Sequence, residues 1–168
     1  MKVAIKRISS DPLGLLGLCL VTLMVVSALG ASIFAPYDPI QLNIMDRLQG
    51  PSANHLLGTD QLGRDLFSRV LFGGQVALKV AFLTIGSALI IGVVLGMIAG
   101  YGPAWLDNSI MLLFDTIRSV PTIMLALAAV AMVGPSITTV IFVIAVSSIP
   151  NYGRVVRTQT LTIKSKDF

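Results

Sequence analysis

The chain has 168 residues, of which 55% are apolar and only 12% charged, with no Glu, and its mean hydropathy is +0.87. A soluble domain carries about 25% charged residues, so this composition excludes an ordinary water-facing surface and points to lipid. The net charge of +4 gathers at the chain ends, without the aromatic-interleaved basic stripe of a nucleic-acid groove, and the single Cys19 excludes an internal disulfide or a Cys-rich metal site.

Residues 1–12 form a basic flank containing Lys2, Lys6 and Arg7. Residues 13–35 carry no charge and, at 1.5 Å per residue, reach about 34 Å, enough to cross a hydrocarbon core of about 30 Å. The basic flank and the small residues around Ala28-Leu29-Gly30 also fit a secretory signal peptide. The length of the apolar run and the three further spans favour an uncleaved anchor.

Residues 36–79 are broken by Pro36, Pro39 and Pro51 into turns. Thr59 or Asp60 is placed to cap a helix beginning near Leu62. Leu62, Leu66, Phe67, Val70 and Leu71 make an amphipathic stripe of the kind that lies along a membrane surface or a bundle edge. Asp60, Arg64, Asp65, Ser68 and Arg69 fall on the other side, where the two arginines can neutralise both carboxylates.

A second span is predicted over 80–101. In it Gly92, Gly96 and Gly100 fall on one helical face, where missing side chains let another backbone approach. After a link at 102–107, a third span is predicted over 108–133. It contains Pro121, which favours a kink, and Asp115 and Arg118, which can pair at i,i+3. A fourth apolar stretch, 137–152, covers only about 24 Å, short for a crossing unless helix continues through Val155 and Val156. Residues 153–168 end the chain with Arg154, Arg157, Lys164 and Lys166.

Four crossings place both ends on one side, and the Lys/Arg bias makes that side cytoplasmic. Residues 36–79 then lie outside. The expected fold is an all-α membrane protein of about four transmembrane helices plus an external amphipathic helix.

Catalysis finds little support in these residues. Asp60 with Asp65 could form an acid pair and His55 a base, but no nucleophile motif, HExxH or metal-ligand spacing accompanies them. Gly73-Gly74 lacks the Lys-Ser/Thr tail of a phosphate loop. His55 reads as a loop residue making local hydrogen bonds.

The run HLLGTDQLGRDLFSRVLFGG, residues 55–74, closely resembles the second permease subunit of the dipeptide, oligopeptide and nickel ATP-binding cassette importers. APYDP, PSANH, AGYGPAWLDNSIMLLFD, SVPTIMLALA and NYGRVVRTQTLTIKSKDF are similar to the same family, in its order. The resemblance implies a type I importer bundle of about six helices, pairing with a second permease subunit around a central pathway in the inner membrane. It further implies two cytoplasmic ATPase subunits that use ATP and Mg, and an extracytoplasmic solute-binding protein. This chain itself would bind no cofactor and catalyse nothing. Gly58, Thr59, Asp60, Gly63, Arg64, Asp65, Ser68 and Arg69 match the family's external motif and are expected to shape the outer vestibule or its docking surface.

In that family the stretch matching Arg154 to Phe168 leads into a cytoplasmic coupling loop that sits on the ATPase. Arg154, Arg157, Lys166, Asp167 and Phe168 are thus expected to be the start of that region, with the loop itself and two further helices following in a longer protein. The expected cargo is peptides or related small solutes, with nickel as the alternative. A truncated, transport-incompetent fragment and a non-transporting regulatory four-helix membrane protein are the rival readings.

Overall fold

The computed structural model describes residues 11–165 of the chain. The basic flank Lys2, Lys6 and Arg7 and the terminal Lys166, Asp167 and Phe168 lie outside the described residues. Among those described the protein is helical, and its only β pairing is an isolated bridge between Thr59 and Asp65. It divides into two compact units, Met1–Lys79 and Val80–Phe168.

In the first unit, helix α1 runs Pro12–Leu29. Asp11 caps it, its Oδ1 accepting from Leu13 N at 3.1 Å, and Pro12 stands at the first helical position where its missing N–H costs nothing. The helix is apolar all round and almost wholly exposed, as suits a helix that faces lipid or other helices. The run expected over 13–35 breaks at Gly30 and resumes as the short α2, Ala31–Phe34. Ala35 is extended ahead of Pro36, as the residue before a proline prefers to be. Residues 36–65 form a loop with one 3-10 turn, Ile44–Asp46.

Helix α3 runs Leu66–Tyr101. Its 36 residues extend about 54 Å, well beyond a bilayer core. The amphipathic stripe and the second span are therefore one helix, not a surface helix followed by a crossing. No proline interrupts residues 62–101, and two glycines at 73 and 74 each cost only about 1 kcal/mol. Leu62 lies ahead of this helix, in a turn.

In the second unit, α4 runs Ala104–Ser119, α5 Thr122–Val133 and α6 Ile137–Lys164. The kink expected at Pro121 is a full break: α4 and α5 meet at 81°. Pro121 removes an N–H and holds Val120 extended at φ −95°, ψ 125°. Ser136 caps α6, accepting from Thr139 N at 3.0 Å. The helix then passes through the buried Pro150 to Lys164. Its 28 residues reach about 42 Å, so the stretch 137–152 is not a short span; it is the first half of a long helix.

Among the described residues three helices, α1, α3 and α6, are long and apolar enough to cross a membrane, and four crossings result if the bent pair α4–α5 counts as one. The core of the second unit gathers Ala88, Ala99, Ile110, Phe114 and Ile149. Gly92, Gly96 and Gly100 lie along α6. A Cβ on them would sit 2.8 Å from Tyr152 Cβ, 2.5 Å from Gly153 O and 2.7 Å from Thr160 Cβ respectively. Phe114 of α4, fully buried, fills the space left by the missing side chain of Gly153.

Candidate functional site

Polar chemistry is concentrated in two places, the 36–65 loop and the seam between α4 and α6.

The loop folds back on itself. Thr59 N donates to Gln49 O at 3.0 Å, Leu48 N to Asp60 O at 3.1 Å and Asn43 N to Leu62 O at 3.3 Å. Two motif glycines make this possible. Gly58 and Gly63 hold φ of 77° and 73°, a region costly to residues with a Cβ, and a Cβ on Gly63 would collide with the Asn43 carbonyl. Thr59 Oγ1 accepts from Gln49 N at 2.9 Å and donates to the Asp46 carbonyl.

Asp60 is the hub of the exposed side. Its carboxylate accepts from Leu62 N at 2.8 Å, Arg64 N at 3.0 Å and Arg64 Nε at 2.8 Å, and pairs with Arg69. Desolvation pushes this carboxyl up, but the N–H groups of Arg64 and Leu62 and the Arg64 guanidinium outweigh it and hold the pKa down at about 2. Both arginines therefore serve Asp60, and the sharing expected between Asp60 and Asp65 does not occur.

Asp65 has different partners. It is 2% exposed, accepts from Ser68 N at 2.7 Å and lies 3.0 Å from His55 Nδ1. It caps α3, the role expected of Thr59 or Asp60; Asp60 is already committed to the turn at 60–64. Desolvation pulls the Asp65 carboxyl up, and the bonds from Ser68 and His55 overcome it, so its pKa lies below the ordinary value. Ser68, fully buried, accepts from Tyr37 N at 3.2 Å, and the Tyr37 ring lies 4.9 Å from that of His55. His55 Nε2 points toward Asp46, 4.0 Å away. A polar cavity of about 170 Å³ opens beside this cluster, bordered by Asp38, Asp46, Asn54 and His55. The loop thus uses the external-motif residues as a self-satisfied scaffold, and among the described residues no group of three or more His, Cys, Asp or Glu is arranged to hold a metal.

The second place lies along α6. Arg157 grips Asp107 with two hydrogen bonds, Nη2 to Oδ2 being 2.5 Å, and Arg154 pairs with Asp115. Arg118 Nη1 donates to Asn151 Oδ1 at 3.2 Å. The local Asp115–Arg118 pair expected from i,i+3 spacing is absent, since α6 presents both residues with better-placed partners. Lys164 Nζ reaches the Tyr101 carbonyl at 3.4 Å, at the end of α3, where a cation suits the exposed carbonyls. Sequence reasoning missed His55–Asp65 and Asn151 as partners, because each contact joins residues far apart in the chain with no local spacing to announce it.

Long apolar helices, a broken helix pair, and polar groups concentrated in one loop and one helix seam define a polytopic helical membrane protein. Comparison with known proteins makes this specific. Residues 92–168 match the family model of the binding-protein-dependent transport system inner membrane component, and residues 1–51 match the N-terminal TM domain of oligopeptide transport permease C. The chain belongs to this family of transport system inner membrane components. It is 38% identical over 165 residues, 98% of its length and 54% of the relative's, to the dipeptide transport system permease protein of Alkalihalophilus pseudofirmus. It is 40% identical over 145 residues (86% and 48%) to the glutathione transport system permease protein of Pectobacterium atrosepticum. To the di/tripeptide transport system permease protein of Pseudomonas aeruginosa it is 37% identical over 158 residues (90% and 52%). The chain spans about half the length of the curated relatives it matches.

Proposed function

We propose that this chain is part of the membrane permease subunit of an ATP-binding cassette importer, and that the importer carries small peptides across the inner membrane. The observation that carries the reading is the likeness, over nearly the whole chain, to permeases named for dipeptides, di/tripeptides and glutathione. A permease must cross the bilayer several times while keeping helix seams that can shift. The glycine-lined α3–α6 contact and the broken α4–α5 pair supply those features.

Family membership supports the partners proposed with this reading. A second permease subunit completes the pathway, two ATPase subunits bind ATP and Mg in the cytoplasm, and an extracytoplasmic binding protein delivers cargo. With the N-terminus cytoplasmic, as the basic flanks favour, the 36–65 loop faces the binding protein and forms the rim of the outer vestibule. The end of α6, from Arg154 to Lys164, then faces the ATPase. The motif residues act by holding the loop in shape, since the side chains of Thr59, Asp60, Arg64, Asp65 and Arg69 bond to the loop's own backbone and side chains.

The test is ATPase stimulation in the assembled transporter. Binding protein loaded with dialanine is expected to accelerate ATP hydrolysis several-fold over binding protein alone. Stimulation by a nickel-loaded binding protein, with none by the peptide-loaded form, would replace the peptide assignment by a metal one.

A further inference from the structure

Among the described residues three side-chain pairs tie α4 to α6, and two are complete ion pairs, Asp107–Arg157 and Asp115–Arg154. The third is different. Arg118 meets only the neutral amide of Asn151, and among the described residues no carboxylate lies within ion-pair distance of it. Arg118 is exposed at the end of α4; with the bent α4–α5 pair counted as one span, a cation at that depth is costly unless it finds a counter-charge.

That counter-charge has a place to sit. A cavity of about 260 Å³ opens at the α4–α5 break, bordered by Arg118, Pro121, Thr122, Ser147 and Asn151. Its polar border carries a guanidinium, an amide and two hydroxyls, and no carboxylate. The start of α5, which has no side-chain cap, lines the same space and adds partial positive charge. The volume falls just below the range of about 300–1,000 Å³ for whole small-molecule sites, so it suits one polar end of a solute. Guanidinium geometry suits a carboxylate in particular, through two parallel N–H···O bonds.

We propose that this cavity is a station for an anionic group, and that the group is the C-terminal carboxylate of a peptide in transit. The inference rests on the transport reading above and adds to it a named contact. Arg118 supplies the charge, Asn151 holds the guanidinium toward the break, and Thr122 and Ser147 offer hydroxyls to the bound end.

Site occupancy tests it directly. In the assembled permease in vesicles, with the exposed Cys19 replaced by Ser, a Thr122→Cys variant is labelled with a maleimide in the presence of dialanine or dialanine amide. Dialanine is expected to slow labelling and the amide is not. Arg118→Gln is expected to raise the protecting concentration about tenfold, the worth of one charge-assisted hydrogen bond, and Arg118→Lys to retain part of the protection. Equal protection by both peptides, or none by dialanine, overturns the proposal. Protection that follows phosphatidylglycerol content without any peptide also overturns it, in favour of a lipid headgroup. Uptake of dialanine is measured on the same vesicles. Uptake without protection overturns this inference alone; protection without uptake upholds the site and defeats the transport reading.

Discussion

Gly92 and Gly153 face one another across the contact between α3 and α6: a Cβ on Gly92 would lie 3.1 Å from Gly153 N, and one on Gly153 would lie 3.4 Å from Gly92 O. Backbone therefore meets backbone here, and neither helix has a flexible side-chain end that could yield. Gly96 is tighter still, with Gly153 O at 2.5 Å and Arg157 N at 3.2 Å from the added atom.

Substitution along this seam should separate the helices. Gly96→Ala is expected to destabilise by about 1–3 kcal/mol, the usual cost of overpacking. Gly86, which has nothing within 4 Å of an added Cβ, is the control: Gly86→Ala should be neutral or stabilising by up to about 1 kcal/mol through helix propensity. Thermal unfolding in detergent compares the two. Equal losses would show that the seam is not what limits stability.

The two ion pairs on α6 should differ in worth. Asp107 and Arg157 are 17% and 29% exposed and joined by two hydrogen bonds, whereas Asp115 and Arg154 are 67% and 36% exposed. Asp107→Ala is expected to cost about 1.5–3 kcal/mol and Asp115→Ala about 0–1 kcal/mol. A double-mutant cycle with Arg157→Ala should recover a coupling for the first pair well above that for Asp115 with Arg154→Ala.

Acid should open the 36–65 loop in a definite window. The Asp60 pKa is lowered from 3.8 to about 2 in the folded protein. A lowered folded pKa means that the charged form stabilises the fold. That contribution is complete above the unfolded value of 3.8 and is lost as pH falls through about 2. Asp65 is shifted in the same direction and adds to the effect. Proteolysis of the loop by an acid-active protease should thus accelerate between about pH 4 and pH 2, and Asp60→Asn should flatten much of that dependence.

Loss of the α3 cap should be local and measurable. Asp65→Ala removes the acceptor for Ser68 N and the partner of His55, and a lost cap costs about 0.5–2 kcal/mol. Amide exchange at residues 66–69 is expected to quicken, while exchange in α6 stays unchanged. Exchange that quickens equally in both would contradict a local role.

How much of this was legible in the sequence depends on the range of each contact. The glycine face of α3 announces itself by four-residue spacing, and the break at Pro121 by the chemistry of one residue. Hydropathy located the spans but not their ends. It registers apolar content, and so it separates Leu66–Lys79 from the rest of a helix that the backbone runs without a break. The arginine partners of Asp60 could be read from its neighbours, but the pairings of Asp65, Asp115 and Arg118 could not. Neighbours in sequence offered plausible partners, and the structure chose others: His55 lies ten residues away and Arg154 thirty-nine. Carboxylates and arginines pair wherever the fold brings them, and spacing rules apply only within one helix.

The measurement that bears most directly on the central claim is uptake of labelled dialanine into vesicles containing the assembled permease, its ATPase subunits and the binding protein. Uptake is expected to require ATP and the binding protein together, and to fall when Gly96→Leu wedges α3 from α6. Accumulation that proceeds without ATP, or complete absence of peptide uptake by a correctly assembled complex, would contradict it.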